Sequence, residues 1–200
     1  MFPGGPHFSE LYIYSYTPTL NALLVAQQGF RNPPILATVK VILASVEHTA
    51  YSHANDLHGT VAEISTIKEM LNNNMAFTQC TTNQLVVLHG AKSFSLRQEL
   101  PEAGILHLAS HGVQEPSDPL QSGFLMADEK LTIQELLKLD LPKAYLAILS
   151  ACHTARGDDK QPDQTVHLAA TMLFLGFKSV VATMWYVLIF LIVLTTWLRS

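Results

Sequence analysis

The sequence predicts an α/β protein built on a mostly parallel central sheet with helices on both faces. Apolar residues make up 48% of the 200-residue chain and charged residues only 14%, against about 25% charged in an ordinary globular domain. So little charge calls for strands buried on both faces or for a membrane segment. Short continuous runs of Val, Ile and Leu recur along the chain, separated by segments in which apolar residues fall at helical spacing. That alternation is the pattern of a parallel sheet covered by helices. Disorder is excluded by the same composition, and a nucleic-acid platform by 12 Lys+Arg against 16 Asp+Glu.

The elements follow in order. Thr17 and Pro18 open a helix carrying Leu20, Leu23 and Leu24 that ends near Gly29. Ile35 to Ala44 reads as a buried strand. Thr60-Val61-Ala62-Glu63 has capping-box spacing, with Val61, Ile64, Ile67 and Leu71 on one helical face behind it. Leu85 to Leu88 is a second strand, and Ser93 to Leu100 a short helix that Pro101 should stop. Ile105 to Ala109 is a third strand. Thr132 to Glu135 repeats the capping-box spacing ahead of Leu136, Leu137 and Leu139. Tyr145 to Leu149 is a fourth strand. Val166, Ala169, Ala170 and Leu173 give a helix face that Gly176 should end, and Val180 to Met184 is a fifth strand.

The first 30 residues hold no Lys or Arg, so no secretion signal is expected. Cys80 and Cys152 are the two cysteines, too few for a disulfide scaffold and suited to a reducing, cytoplasmic setting. Ser179 to Leu198 is a run of 20 uncharged residues, long enough for a transmembrane helix. A Val-rich core strand uses Ser179 to Trp185 instead, which leaves 13 residues from Tyr186 to Leu198, too few to span alone. Membrane attachment through residues 179–198 is the alternative to a cytoplasmic location.

Parallel sheets place their chemistry just past the carboxyl ends of the strands, and two strand ends stand out. One runs Ile105-Leu106-His107-Leu108-Ala109-Ser110-His111-Gly112, the other Leu146-Ala147-Ile148-Leu149-Ser150-Ala151-Cys152-His153. If the strands are neighbours, a thiol and an imidazole meet at one sheet edge. An imidazole favours the thiolate and later protonates a leaving amine. The N–H groups of Gly112 and Cys152 are the candidate oxyanion donors. A strand-end Cys is also a common core residue. His107, His111 and His153 beside Cys152 suggest zinc, but no four-ligand set is completed, so neither metal nor cofactor is expected.

These residues sit in a longer ordered series. It comprises His107 to Gly112, Asp118-Pro119-Leu120-Gln121-Ser122-Gly123-Phe124, Leu131-Thr132, Leu149 to Asp158, Asp163 to Ala170, and Ser179 to Trp185. Upstream, Ser15 to Leu20 and Gly59 to Glu63 join it. The chain resembles the CHAT domain, the caspase-like family associated with TPR proteins, in its fungal variety. The resemblance implies a caspase/separase-like α/β/α sandwich and a Cys-His dyad peptidase, with Cys152 as nucleophile and His111 as base and acid. It also implies a protein substrate and, in relatives, TPR or other regulatory domains as partners.

Asp118, Asp158, Asp159 and Asp163 fall in loops flanking the dyad. Together they would select a basic residue before the cleaved bond; singly they are ordinary loop acids. Residues 1–185 form the expected CHAT-like domain, with an N-terminal part open to being incomplete, and residues 186–200 a divergent apolar tail. That departure, where relatives continue into a loop and helix, reads as a truncated or divergent end. It supports a second reading, a scaffold that keeps the fold and binds partners without turnover.

Overall fold

A computed structural model describes residues 24, 39–52, 54–73, 85–150 and 163–182, the side chains of 163–167 excepted. Five strands form the central sheet: β1 (Lys40–Ser45), β2 (Leu85–His89), β3 (Ala103–Ala109), β7 (Leu146–Ser150) and β8 (Ser179–Ala182). Their order is β2-β1-β3-β7-β8, and every neighbouring pair is parallel. Three further strands, β4 (His111–Val113), β5 (Gly123–Leu125) and β6 (Lys130–Thr132), make a small antiparallel sheet inserted between β3 and β7.

Alternation along the strands sorts side chains onto two faces. Val41 and Leu43 of β1, Leu85 and Val87 of β2 and Ile105 of β3 pack with Ile64, Ile67 and Leu71 of α1 (Thr60–Asn73). The intervening residues Ile42, Ala44, Leu106, Leu108, Ala147 and Leu149 pack on the opposite face. Their partners include Leu96 of α2 (Ser93–Glu99), Leu136 of α3 (Ile133–Leu136), and Leu168 and Met172 of α4 (Asp163–Phe174). The result is the expected α/β/α sandwich. Ile64 and Ile67 are at most 1% exposed, and each buried side chain of this size stabilises by about 2 kcal/mol. An apolar stripe therefore docks α1, with far more free energy than one hydrogen bond of about 1 kcal/mol.

Several local expectations change. Thr60 is the first helical residue of α1 rather than its cap. Its hydroxyl donates to the Leu57 carbonyl at 3.2 Å, while the Glu63 N–H donates to the Gly59 carbonyl at 2.8 Å. The Glu63 carboxylate is thereby free to turn toward the sheet. The helix from Ser93 ends at Glu99, just ahead of Pro101 as expected, and Pro101 then sits inside a 3-10 turn, Leu100–Glu102, where its missing N–H costs nothing. The capping box at Thr132 and Glu135 forms as the spacing predicts, yet α3 is a single turn and Leu137 lies 49% exposed beyond it.

In α4 the buried stripe is Leu168 and Met172, continued by Leu175, because these larger side chains fill the sheet face better than Ala169 and Ala170. Gly176 ends α4 with φ +114°; its N–H reaches the Leu173 carbonyl and the Phe177 N–H the Met172 carbonyl, a Schellman arrangement. The predicted helix from Thr17 to Gly29, except Leu24, and the segments 35–38 and 183–200 lie outside the described residues.

A helix over residues 179–198 is overturned at its start: Ser179–Ala182 are strand β8, whose β-branched Val180 and Val181 pair with Ala147 and Ile148. Among the described residues no helix is long and apolar enough to cross a membrane.

The small sheet rests on one close approach. A Cβ added at Gly123 would lie 2.0 Å from the Leu131 carbonyl oxygen and 2.8 Å from the Thr132 Cα, backbone atoms that cannot rotate away. Gly123→Ala is expected to lower stability by about 1–3 kcal/mol, as overpacking does, read as a shifted urea midpoint. An unchanged midpoint would show that β6 yields freely.

Candidate active site

The strand order reverses between β1 and β3: α1 crosses from β1 to β2 on one face, and α2 returns from β2 to β3 on the other. At such a switch point the loops leaving two adjacent strands part, and a crevice opens beyond their carboxyl ends. The loop from Val46 to Gly59 leaves β1 there, and Ser110 and His111 leave β3. These are the elements that frame the site.

His111 is 2% exposed, and its Nε2–H donates to the Asn55 carbonyl at 2.6 Å. A carbonyl oxygen only accepts, so Nε2 carries the proton, and in the neutral tautomer Nδ1 is then the acceptor. Nδ1 is buried with no hydrogen-bond partner among the described residues, as is the Oγ of the preceding Ser110. Unpaired buried polar atoms cost about 1–3 kcal/mol each, so their clustering marks a place where another group belongs.

The strand that runs toward Cys152 in sequence is adjacent. β3 pairs with β7 from Ile105↔Leu146 to Ala109↔Ser150. His111 lies two residues past Ala109, and Cys152 two residues past Ser150. Cys152, Asp158 and Asp159 lie outside the described residues, as does the Asp163 side chain. Gly112 is half-buried in β4, opposite Phe124 of β5. Asp118 is exposed, and its carboxylate accepts from the Leu120 N–H at 3.2 Å, capping the 3-10 turn Pro119–Gln121.

His107 and His111 do not share a strand row, because the chain bends at Ser110 and His111 opens β4. His107, 1% exposed, faces α1 instead; its Nε2–H donates to Glu63 Oε1 at 2.9 Å. The other carboxylate oxygen, Oε2, accepts from Ser150 Oγ at 3.1 Å. Glu63 thus bridges β3 and β7 from the helix above them. Sequence reading missed both Glu63 and Asn55. The first carries capping-box spacing, which masks any other use, and the second acts through a backbone carbonyl that no residue type announces. Ser45 and His89 form a further hydroxyl–imidazole pair at 3.1 Å, but Ser45 is fully buried and closed to a substrate.

The α/β/α sandwich on a parallel five-stranded sheet is consistent with a caspase-like fold. The family model of the CHAT domain matches residues 6–191, and the chain belongs to that family, which is related to the caspase-like peptidases. No curated protein matches the chain significantly.

The loop holding His111 is braced from within. His48 Nδ1 and Asp56 Oδ1 pair at 2.9 Å, His58 Nδ1 and Glu47 Oε1 at 3.3 Å, and the Leu57 N–H donates to the Glu47 carbonyl at 2.9 Å. The hydrogen bond to Asp56 raises the His48 pKa, and the bond from His48 holds the Asp56 carboxyl below its ordinary range. A raised histidine pKa gives stability that is full below pH 6.5 and lost as pH rises through the folded value; a lowered aspartate pKa gives stability lost only as pH falls through it. Amide exchange at Leu57 is therefore expected to be better protected at pH 5.5 than at pH 8.5 after correction for intrinsic rates. His48→Ala should flatten that difference, and an equal difference in the variant would contradict the brace.

Proposed function

We propose that this CHAT domain is a cysteine peptidase that cleaves a protein partner by acyl transfer, with Cys152 as nucleophile and His111 as base and then acid. The observation that carries the reading is the His111 imidazole. Asn55 fixes its proton on Nε2, and the buried lone pair of Nδ1 is left at the end of β3, beside the strand that runs into Cys152. A thiol donor is the complement that such an acceptor lacks.

In this mechanism Nδ1 takes the Cys152 proton, and the thiolate attacks the scissile carbonyl. The tetrahedral oxyanion is met by the N–H groups of Gly112 and Cys152. Collapse breaks the C–N bond, and Nδ1–H of the imidazolium protonates the leaving amine. Water, deprotonated by the same nitrogen, then hydrolyses the thioester and restores the thiol. Throughout, Asn55 accepts from Nε2–H and keeps Nδ1 toward the sulfur. The loop acids Asp118, Asp158, Asp159 and Asp163 would favour a basic residue before the cleaved bond, with Asp118 free to contribute only by leaving its capping role.

A diverse peptide library incubated with the full chain and analysed by mass spectrometry tests the reading. Cleavage products are expected with the wild type and none with Cys152→Ala, and His111→Ala should slow cleavage by roughly 100-fold or more. Products that persist in Cys152→Ala would refute the dyad. No cleavage by the wild type would favour the alternative of a partner-binding scaffold.

A further inference from the structure

We infer that Glu63 is a positioning residue of the site: its carboxylate ties the carboxyl ends of β3 and β7 together and so sets the separation of the two segments that lead to His111 and Cys152. The inference rests on the peptidase reading for its consequence, though not for its geometry. Oε1 accepts from His107 Nε2–H at 2.9 Å and Oε2 from Ser150 Oγ–H at 3.1 Å, so each oxygen serves a different strand. In register, His107 stands opposite Ile148 and Ser150 opposite Ala109. The two donors therefore lie diagonally across the strand pair, on the face that α1 covers. His111 follows His107 by four residues, and Cys152 follows Ser150 by two.

The carboxylate is suited to this task because it is the one common side-chain group with two equivalent acceptors and no donor. An amide in its place could accept from His107 and donate to the Ser150 hydroxyl, so an apolar side chain of like length, as in Glu63→Met, is the change that removes both links. Nor is Glu63 needed to dock its helix, since the buried stripe of Ile64, Ile67 and Leu71 does that. Its first-turn location places an acid where the helix N-terminus favours one. What the bridge supplies is lateral: it adds a side-chain link from each strand to the backbone ladder and core packing that align β3 with β7. Catalytic groups tolerate little misplacement, and about 1 Å costs as much as 100-fold.

The rate of iodoacetamide alkylation at Cys152 relative to Cys80, followed by peptide mapping, tests this in the full chain with thermal melts as a check on folding. In the wild type Cys152 is expected to react much faster than Cys80. Glu63→Met and Ser150→Ala should each slow Cys152 by roughly tenfold and leave Cys80 unchanged, while Ser150→Thr, which keeps the hydroxyl, should restore most of the rate. A merely structural role would lower the melting temperature without this selective effect or its rescue. A fast wild-type Cys152 that Glu63→Met and Ser150→Ala leave equally fast would overturn the inference and spare the peptidase reading. Equal rates for the two wild-type cysteines would overturn both. Should Glu63→Met not fold, the Ser150→Ala and Ser150→Thr pair reads the same bridge.

Discussion

The parallel pairing of β3 with β7 is the constraint on which the rest depends. Two strands that are far apart in sequence, separated by a small antiparallel sheet and a one-turn helix, are held in register from Ile105↔Leu146 to Ala109↔Ser150. Their direction is shared, so their carboxyl ends leave the sheet at the same edge. Ser150 and the strand end that leads into His111 are thereby brought to one edge without any local sequence signal joining them. Leu106, Leu108, Ala147 and Leu149 are buried on one face and Ile105 packs against the α1 cluster on the other, so a one-residue slip is prohibitive.

Around that pair the fold applies restraint from three directions. The β1 loop reaches over the edge and takes the Nε2 proton of His111 on the Asn55 carbonyl. Strand β4 fixes the histidine backbone by pairing with β5, which is itself pressed against β6 at Gly123. From above the sheet, Glu63 receives one donor from each strand. Each restraint is modest in free energy, and none is needed for the core to form. They act on orientation, which is where a side-chain nucleophile and its base are most sensitive.

The sheet was largely legible in the sequence because strands buried on both faces are written as continuous apolar runs, and Ile105 to Ala109 and Tyr145 to Leu149 are such runs. The small sheet was not. Its strands are three residues each, too short to show a period, and Gly123 reads as a turn residue although it serves close packing. Boundaries moved where a local rule met a tertiary demand. Glu63 stands three residues after Thr60, as a capping box asks, but two buried donors on the sheet outbid the helix terminus for its carboxylate. In α4, periodicity alone did not separate the Ala face from the Leu168 and Met172 face that fills the core. In the candidate site, His111 stands out in the sequence by its strand-end place and its motif, whereas the Asn55 carbonyl that accepts from it has no sequence signature at all.

The most direct test of the central claim is a crystal structure of the chain with a peptide aldehyde, which a reactive thiol traps as a hemithioacetal. The account predicts a bond from Cys152 Sγ to the aldehyde carbon, His111 Nδ1 within hydrogen-bond reach of the trapped group, and His111 Nε2–H still on the Asn55 carbonyl. An adduct on another residue, or a Cys152 adduct with His111 turned away so that Nδ1 meets neither sulfur nor oxygen, would contradict it.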